Sequence, residues 1–513
     1  MTHSQTKIRI SETVRWWVIT AALLALFLGA MDSLIMSAVM PTILADLGGL
    51  AAYSWVYTAY FLARVVALPI FGKLADLYKV KVLFIISIGL FLVSSIAAGV
   101  SPNMVSLIIA RVFQGIAAGG NFALVYIVLS DMAPPGKRAK TLSLASFIWG
   151  AASLLGPTVG GVIVTWFSWR WVFFINIPAS LFSMVLIARY LVELRQKKSR
   201  VDLDLAGVAA LSVTILALLS LLMLGGRDFR WVSPVSISLM SLTLVSGVSF
   251  YFFEKRAREP ILALEFFRIR GFSIGNLSVF LSSFTIFSFF AYAPLFIQGA
   301  LGKTPLQVGM SILFLTLGWS LGSILTGQVL NRIRRKTMAV IGAVILTTGC
   351  GLTLTFTYQT SLTTCFGVFL VVGLGTGFVA MSTILVVQNA LGESDLGVAT
   401  TSNQFARSLG GTIGIGVGGG VVMAGIQTMI DNLGKSGALD QVPVEMVALL
   451  QNNVERLFQP EFQSQIIPQL QDALQRSVGE SVALVFWISF IVSWLCLAAC
   501  LFLPGKAALR TSN

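Results

Sequence analysis

The run AALLALFLGAMDSLIMSAVM at residues 21–40 is apolar along its length except for one carboxylate, Asp32. About 20 such residues in a helix cross the hydrocarbon of a bilayer, so the run predicts a membrane-spanning helix. A charge in hydrocarbon costs at least ~2.5 kcal/mol, and it is kept where a cavity, a partner or a proton relieves that cost. Asp32 is therefore the first candidate for a functional residue.

The whole chain shares this apolar character. It has 513 residues, of which 56% are hydrophobic and 11% charged, and its mean hydropathy is +0.87. A water-soluble fold of this composition would expose large apolar patches, so the sequence indicates an all-α, multi-pass membrane protein. Fourteen apolar windows predict spans: 16–40, 53–72, 82–100, 104–130, 140–166, 171–191, 205–225, 232–253, 272–298, 306–330, 337–357, 362–391, 397–425 and 481–503.

The net charge of +14 is unevenly distributed. Most of the 35 Lys and Arg residues lie in the two tails and in alternate connecting segments. The positive-inside rule therefore predicts that both termini are cytoplasmic, and it leaves no basic surface that requires a nucleic-acid partner. The first apolar stretch is too long for the core of a cleavable signal, so we expect it to remain as a helix in the cytoplasmic (inner) membrane.

The chain lacks the usual residue sets of an enzyme site. Its single histidine, His3, lies in the N-terminal tail, and no embedded carboxylate pair, Ser/His/Asp set or phosphate loop can be assembled. The sequence therefore argues against an enzyme. Neither a disulfide framework nor a metal site is expected, because all four cysteines fall within predicted spans: Cys350, Cys365, Cys496 and Cys500.

Two segments at equivalent places indicate an internal repeat. GKLADLYKVK at 72–81 follows the second span and GQVLNRIRRK at 327–336 follows the tenth, and both join a Gly to a basic cluster. Two six-helix halves would place them equivalently, as in secondary transporters with a binding site between the halves. We expect bundles at 1–200 and 261–513, with two inserted helices at 201–260. Two unrelated basic loops are the alternative.

The segment 426–480 is the one long connection expected outside the membrane. Its apolar residues have helical spacing, with charged residues between them: Val447, Leu450, Val454, Leu457 and Phe458. One interpretation is an amphipathic helix that acts as a lid near the outer opening. A solvated connector with no role in transport is the other.

The helical rise allows the depths of two charged residues to be compared. Asp32 lies ~10 Å from the outer end of its span, and Arg111 lies equally deep in the fourth span, so the two side chains can meet. Burial disfavours a charged carboxylate and a nearby guanidinium favours it, so a small helix movement changes the proton affinity of such a pair. A static ion pair that only locks two helices is the alternative.

Several motifs along nearly the whole chain resemble the major facilitator superfamily and, within it, the fourteen-span drug:proton antiporter family of QacA/EmrB type. They are MDSLIMSAVMPTI at 31–43, WRWVFFINIP at 169–178 and QFARSLGGTIG at 404–414. The resemblance implies the major facilitator fold of two six-helix bundles plus two inserted helices, and proton-coupled export by alternating access. Pro41, at the end of the first motif, is expected to end its helix.

The same resemblance implies a proton-coupling site. Asp32 and Arg111 would exchange the coupling proton, and Gln114 and Gly115 complete the motif around Arg111 in ARVFQGIAAGG. Protons are then the coupling ion, and no cofactor is expected.

GKLADLYKVK resembles the cytoplasmic loop with which the family latches its inner gate. The matching residues are Gly72, Asp76 and Lys81. The residues that depart from the family pattern are Leu77, Lys79 and Val80. We therefore expect a latch that is weaker or differently paired, with Asp131 and Arg138 as neighbours. A purely topological role for these cations is the alternative.

GPTVGG at 156–161 in the fifth span resembles the antiporter motif. Gly156 and Gly160 share one helix face, where missing side chains let a neighbouring helix approach, and Pro157 permits a bend. Gly150 and Gly161 complete the motif. By resemblance, this motif indicates export rather than uptake.

Two further cations, Arg64 and Arg407, lie near the membrane midplane. Together with Arg111 they outnumber the one embedded acid, so a cavity that receives them all would be positive and would favour an anionic, zwitterionic or neutral amphiphile. Alternatively, Arg64 points to a helix interface. Aromatic and amide residues are further candidates for the pocket wall: Tyr57, Phe61, Asn121, Phe122, Trp149, Phe284, Tyr292, Gln388 and Asn403.

The predicted function is a proton-coupled efflux antiporter that exports amphipathic or lipophilic small molecules, of multidrug type. The alternatives are an exporter of an endogenous anionic, zwitterionic or lipid-like metabolite, and a non-transporting membrane sensor. The expected partners are a small amphipathic substrate and the lipid bilayer, with the protein acting as a monomer. The sequence leaves open an outer-membrane or periplasmic partner.

Overall fold

The computed structural model describes residues 11–47, 53–134, 137–193, 204–225, 229, 232–257, 264–303, 305–329, 333–391, 395–435 and 468–505. The described chain is almost entirely helical, with a 3-10 turn at Leu264–Arg268 and a π-helical turn at Phe296–Ala300. Its α-helices are α1 Glu12–Leu47, α2 Tyr53–Leu77, α3 Val80–Gly99, α4 Met104–Met132, α5 Arg138–Trp166, α6 Trp171–Phe174, α7 Asn176–Tyr190, α8 Leu205–Leu224, α9 Pro234–Arg256, α10 Arg270–Leu295, α11 Pro305–Val329, α12 Arg335–Thr353, α13 Leu362–Ala390, α14 Leu396–Lys435 and α15 Pro468–Leu501.

The helices have the length and composition of membrane spans. Within the described residues, 11 are long and apolar enough to cross a membrane, and Ala206–Leu222 is a shorter apolar helix. Each of the fourteen apolar windows overlaps a helix, with α6 and α7 sharing one window. The all-helical, multi-pass prediction is confirmed, while the count of fourteen spans stays a prediction.

Successive spans run in alternating directions, with α6 and α7 together forming one span, which gives the bundle two ends. We call the end where α2 stops and α3 begins the basic end, and the opposite end, where α5 stops, the Trp169 end. At the basic end the Lys81 amide donates to Glu193 Oε1 at 2.8 Å, and Arg270 Nε donates to the Phe502 carbonyl at 2.9 Å. Contacts between helix termini that are distant in sequence therefore support the alternation.

Helix ends depart from the apolar windows at two places. α1 continues through Pro41 to Leu47, so the prediction that Pro41 ends the helix is wrong. A proline removes only one intrahelical hydrogen bond, and packing in membrane bundles tolerates that loss. α14 runs on to Lys435 and α15 starts at Pro468, so both described ends of the segment 426–480 are helical. The proposed amphipathic helix around Val447 to Phe458 lies outside the described residues.

Glycines bring α2 and α4 into direct backbone contact. Gly115 faces the carbonyl oxygen of Tyr60 with no room for a Cβ. Gly119, one turn later, faces the carbonyl oxygen of Arg64 in the same way. Small residues four apart allow this close approach of two membrane helices. We call this contact the α2/α4 seam.

The helices α11 and α13 repeat that packing. Gly373 faces the carbonyl oxygen of Leu315, and Gly377 faces that of Trp319, again without space for a Cβ. The second and fourth helices of the predicted second bundle thus pack like α2 and α4. This likeness supports the internal repeat, while the boundaries at 200 and 260 stay a prediction.

The predicted inserted pair, α8 and α9, lies at the side of the bundle. Leu211, Ile215 and Leu219 of α8 pack in one apolar cluster with α2 and α14. α9 is held against α8 by a 2.9 Å hydrogen bond between the hydroxyls of Thr214 and Ser246. α8 therefore touches helices of both predicted bundles.

Candidate functional site

An ion pair between Asp32 of α1 and Arg111 of α4 lies in the interior of the bundle. Arg111 Nη1 donates to Asp32 Oδ2 at 2.5 Å, and both residues are 1% exposed. Asp32 Oδ1 is buried and accepts no hydrogen bond from the described residues. Such a pair balances two buried charges and leaves one carboxylate oxygen open to a proton.

Three further groups fix the Arg111 guanidinium. Nη1 also donates to Gln114 Oε1 at 3.1 Å, and Nε donates to the Val56 carbonyl at 3.4 Å. The ring of Tyr60 lies 4.1 Å from the Arg111 Cζ, which adds a cation–π contact. The Tyr60 hydroxyl donates to the Gly29 carbonyl of α1 at 3.0 Å, so the ring is itself held in place.

Gln114 extends this network to two helices that the sequence analysis did not connect with the site. Gln114 Nε2 donates to Ser95 Oγ of α3 at 2.9 Å, and Asn176 Nδ2 of α7 donates to the same oxygen at 3.4 Å. All three side chains are fully buried. No local sequence signal marks Ser95, because an apolar helix contains many serines that only bond their own backbone.

Arg64 of α2 lies among aromatic rings. Its Cζ is 3.9 Å from the ring centre of Phe122 and 5.6 Å from that of Trp149. The structure describes no carboxylate partner for it. The guanidinium therefore lies between α4 and α5, on the interior side of α2.

Arg407 of α14 has a related environment. Its Cζ lies 5.7 Å from the ring centre of Trp319 on α11, and its buried Nε has no hydrogen-bond partner among the described residues. Trp319 packs against Phe287 and Phe290 at 6.1 Å between ring centres. An arginine on an aromatic wall thus occurs in each predicted bundle.

The basic end is closed by contacts between the predicted bundles. Asp76 Oδ2 accepts a hydrogen bond from the Val398 amide at 3.1 Å, and Gln388 Nε2 donates to Ser130 Oγ at 3.1 Å. Gly72 faces Thr401 so closely that a Cβ would overlap that side chain. Gln388, an expected residue of the pocket wall, therefore lies in the closed basic end.

The remaining predicted gate residues are distributed between this end and the helices beside it. Lys81 is the second residue of α3, and its amide donates to Glu193, which the sequence analysis did not single out. Asp131 is the last residue but one of α4 and Arg138 begins α5, and both have further interactions. The pairing of their side chains with the latch stays a prediction.

The predicted antiporter motif packs on two helices. Gly156 faces the Leu34 side chain of α1, with 3.1 Å from its ideal Cβ position to the Leu34 Cβ, and Gly160 faces Ile35 at 2.7 Å. Gly150 instead faces Ser320 of α11, at 3.0 Å from its Oγ. Gly161 has open space at its Cβ position, so packing does not require a glycine there. α5 remains one helix through Pro157.

The other candidates for the pocket wall have separate surroundings. Tyr292 donates its hydroxyl proton to the Ile415 carbonyl and packs inside an apolar cluster, between α10 and α14. Phe61 makes an edge contact with Tyr60, at 5.7 Å between ring centres. The others are buried or half-buried: Tyr57, Asn121, Phe284 and Asn403. Of these nine candidates, Phe122 and Trp149 are the two that contact Arg64.

A polar cluster ties helices together at the Trp169 end. Asp46 Oδ2 accepts hydrogen bonds from Trp169 Nε1 at 2.9 Å and from Arg170 Nη1 at 2.8 Å. Arg170 also stacks on Trp169, 4.4 Å from its ring centre, and donates to the Ser101 carbonyl at 3.5 Å. The hydrogen bonds from Trp169 and Arg170 hold the pKa of the Asp46 carboxyl below its usual value. The WRW segment thus links α1, the end of α3 and the start of α6.

Comparisons with known proteins agree with this architecture. The profile of the Major Facilitator Superfamily matches residues 22–415. The multidrug transporter protein MdtP of Bacillus subtilis (strain 168) is 33% identical over 94% of this chain and 91% of its own length. Multidrug resistance protein 3 of the same organism is 29% identical over 97% of this chain and 96% of its own length.

A solved structure shows the same fold. The crystal structure of the human organic anion transporter MFSD10 (TETRAN) superposes with a TM-score of 0.57, covering 93% of this chain and 99% of its own. Its sequence is 14% identical, so the likeness concerns the fold alone. The profile match and the extended similarity to MdtP show that this chain belongs to the Major Facilitator Superfamily, a family of transporters and not of enzymes.

Proposed function

We propose that the protein is a proton-coupled efflux antiporter that exports small amphipathic molecules by alternating access. The buried ion pair between Asp32 and Arg111 carries this proposal, because it supplies a protonatable group inside the bundle. The relative MdtP is named a multidrug transporter and the other relative is named for multidrug resistance, which favours drug-like substrates for this chain as well. Protons serve as the coupling ion, and the proposal needs no cofactor.

The membrane orientation follows from charge. The positive-inside rule places the basic end, with both termini, at the cytoplasm. The contacts of Asp76 with Val398 and of Gly72 with Thr401 then close the transporter toward the cytoplasm. With this orientation, the described conformation is closed toward the cytoplasm, and Asp32 is buried in it.

The ion pair explains how a proton can drive the conformational change. Protonation of Asp32, at its unpartnered Oδ1, removes the negative charge that holds the Arg111 guanidinium. α1 and α4 then lose their charge-assisted contact and can shift relative to one another. Opening at the basic end lets Asp32 release the proton inside, where Arg111 pairs with it again. Each proton that enters gains ~2.3 kcal/mol per 100 mV of membrane potential.

The orientation of the buried network supports proton transfer at Asp32 in particular. Gln114 is bonded to α3 and Tyr60 belongs to α2, so both can keep Arg111 in position when α1 moves and the hydrogen bond from Tyr60 to Gly29 breaks. The carboxylate is therefore the group that changes partner. A static ion pair that only locks two helices would not require a carboxylate oxygen without a hydrogen-bond partner, such as Asp32 Oδ1.

Two other functions remain distinguishable by experiment. An exporter of an endogenous anionic, zwitterionic or lipid-like metabolite would use the same coupling residues with a narrower substrate range. A membrane sensor would bind a ligand without moving it. The proposed inner-membrane location and monomeric state apply both to a drug exporter and to a metabolite exporter.

The test uses purified protein in proteoliposomes loaded with a fluorescent amphiphile. Acidifying the outside should make the wild type release the amphiphile. Asp32→Asn should lower the release rate to that of loaded vesicles without protein. Asp46→Asn is the matched control, since it makes the same change at a carboxylate that lies at the Trp169 end. Flux driven by the pH gradient that survives in Asp32→Asn would refute the coupling role, and binding without any flux would identify a sensor.

A further inference from the structure

The glycine contacts relate the two predicted bundles residue by residue. On the α2/α4 seam, the carbonyl of Arg64 faces Gly119, and between α11 and α13 the carbonyl of Trp319 faces Gly377. In each case the preceding contact lies four residues earlier on both helices. Arg64 and Trp319 therefore occupy equivalent positions on the second helices of the two bundles.

The same comparison can be made for α5 and α14. Trp149 lies seven residues before Gly156, and Arg407 lies seven residues before Gly414. Gly156 packs on α1, the first helix of its bundle, while Gly414 packs against the Phe284 carbonyl of α10, the first helix of the other. Trp149 and Arg407 are therefore equivalent as well.

Each bundle thus carries one arginine and one tryptophan at these two positions, with the residue types exchanged. The ring of Trp149 lies 5.6 Å from the Arg64 Cζ, and the ring of Trp319 lies 5.7 Å from the Arg407 Cζ. The indole walls stand on α5 and α11, which pack on each other near Gly150, and the guanidiniums stand on α2 and α14.

The two arginines lie at one level of the membrane. Leu62 and Val65 of α2 share an apolar cluster with Phe405 and Leu409 of α14. These contacts bracket Arg64 on one helix and Arg407 on the other, and the helices run antiparallel. Two cations therefore face the interior at the same depth, one from each bundle.

Among the described residues, no carboxylate balances their charges, and several donors around Arg407 lack a partner. Arg64 and Arg407 are 7% and 9% exposed, and the structure describes no carboxylate partner for either, whereas Arg111 is neutralised by Asp32. Three buried nitrogen donors on α14 and α11 have no hydrogen-bond partner among the described residues: Arg407 Nε, Gln404 Nε2 one turn before it, and Trp319 Nε1 on the ring that Arg407 contacts. Unpartnered buried donors are costly, so a group rich in acceptors is the missing complement.

We propose that Arg64 and Arg407 together bind the acidic group of an aromatic amphiphile, with Trp149 and Trp319 as the walls that contact its rings. This inference rests on the proposed efflux function and names its substrate class: a carboxylate, sulfonate or phosphate joined to an aromatic body. Guanidiniums bind such oxyanions with paired, charge-assisted hydrogen bonds, and an indole face favours an aromatic neighbour. Because the site has one arginine on each bundle, it binds its ligand only in conformations that keep the two arginines close together. Alternating access requires such a change in binding when the bundles move.

The experiment uses two probes with one aromatic scaffold, a naphthalene sulfonate and a naphthalene quaternary ammonium, in proteoliposomes with an imposed pH gradient. The wild type should transport the sulfonate at lower half-saturating concentration than the ammonium. Arg407→Gln and Arg64→Gln should each raise the half-saturating concentration for the sulfonate by about tenfold or more, as expected for a charge-assisted contact. Arg407→Lys keeps the charge and should recover part of that loss.

The melting temperature and size-exclusion profile of each purified variant report whether it is folded. The ratio of ammonium flux to sulfonate flux should rise in the Gln variants, because they remove positive charge from the site. An equal fall of both probes, or an unchanged sulfonate profile, would overturn the proposed site.

The two proposals fail in different ways. If the ammonium moves in a manner that depends on Asp32 while the sulfonate is neither bound nor moved, the anion site is refuted and efflux stands. If sulfonate binding, measured at equilibrium, depends on Arg64 and Arg407 but no probe moves under a pH gradient, the site stands and the efflux function is refuted.

Discussion

The carboxylate of Asp76 at the end of α2 accepts a hydrogen bond from the amide of Val398, 3.1 Å away in the first turn of α14. The amides of a first helical turn lack intrahelical partners, and the helix dipole favours a negative charge there. Asp76 therefore caps a helix of the other bundle. Opening the basic end must break this cap.

Replacing Asp76 should weaken the closed state. Asp76→Ala removes an N-terminal cap worth about 1 kcal/mol and should shift the population toward an open basic end, whereas Asp76→Asn keeps an acceptor and should have a smaller effect. Spin labels at Tyr78 and Arg334, which lie at this end on different bundles, would report the change as a longer or broader distance distribution. An unaltered distribution in Asp76→Ala would show that the cap does not hold the gate.

Gly72 should tolerate no side chain. A Cβ there overlaps Thr401, so Gly72→Ala should force α2 and α14 apart and lower the transport rate, and Thr401→Gly should restore it in the double variant. Gly89→Ala is the matched control, because the Cβ position of Gly89 has nothing within 4 Å. Equal transport by the Gly72 and Gly89 variants would contradict this contact.

The cluster around Asp46 should give the protein a pH-dependent stability. Trp169 and Arg170 lower the pKa of Asp46 from its ordinary value of 3.8, so the stabilisation is fully present above that value and is lost as the pH falls through the lower folded-state pKa. Asp46→Asn should therefore reduce the melting temperature at neutral pH, and the difference from wild type should shrink on acidification below pH 3.8. A difference that stays constant across this range would exclude the ionised carboxylate as its cause.

Removal of Arg111 should change the pH profile of transport rather than only its rate. Arg111→Gln leaves the Asp32 carboxylate buried without its cation, so the pH midpoint of flux should differ from that of the wild type. Arg111→Lys retains a charge but not the fixed fork, so it should give an intermediate midpoint. Flux measured from pH 5 to 9 would distinguish these outcomes from a uniform loss, which is the signature of misfolding.

Local properties of the chain allowed much of this architecture to be predicted. A window of about 20 apolar residues marks a span wherever it occurs, so each predicted window overlaps a helix. The constant rise of a helix likewise placed Asp32 and Arg111 at one depth, where they form an ion pair. Pro41 was misjudged because its effect depends on surrounding packing rather than on the residue itself.

Contacts between segments that are distant in the chain could not be predicted from the sequence. The partner of Asp76 is a backbone amide, which carries no residue signature, and it lies on a helix of the other bundle. Gln388 was expected in a pocket because its amide suits a ligand, yet it spans the closed end to Ser130. Trp319 was not selected, since its importance becomes visible only when the glycine contacts align α11 with α2.

The α2/α4 seam has a mechanical consequence. With backbone pressed on backbone at Gly115 and Gly119, the two helices have no soft side-chain layer across which they could slide, so they form a single stiff rod. That rod carries both Arg64 and Arg111. A substrate that displaces Arg64 would therefore also displace Arg111. Protonation of Asp32, which releases Arg111, would in turn shift Arg64, so substrate and proton would be coupled without direct contact.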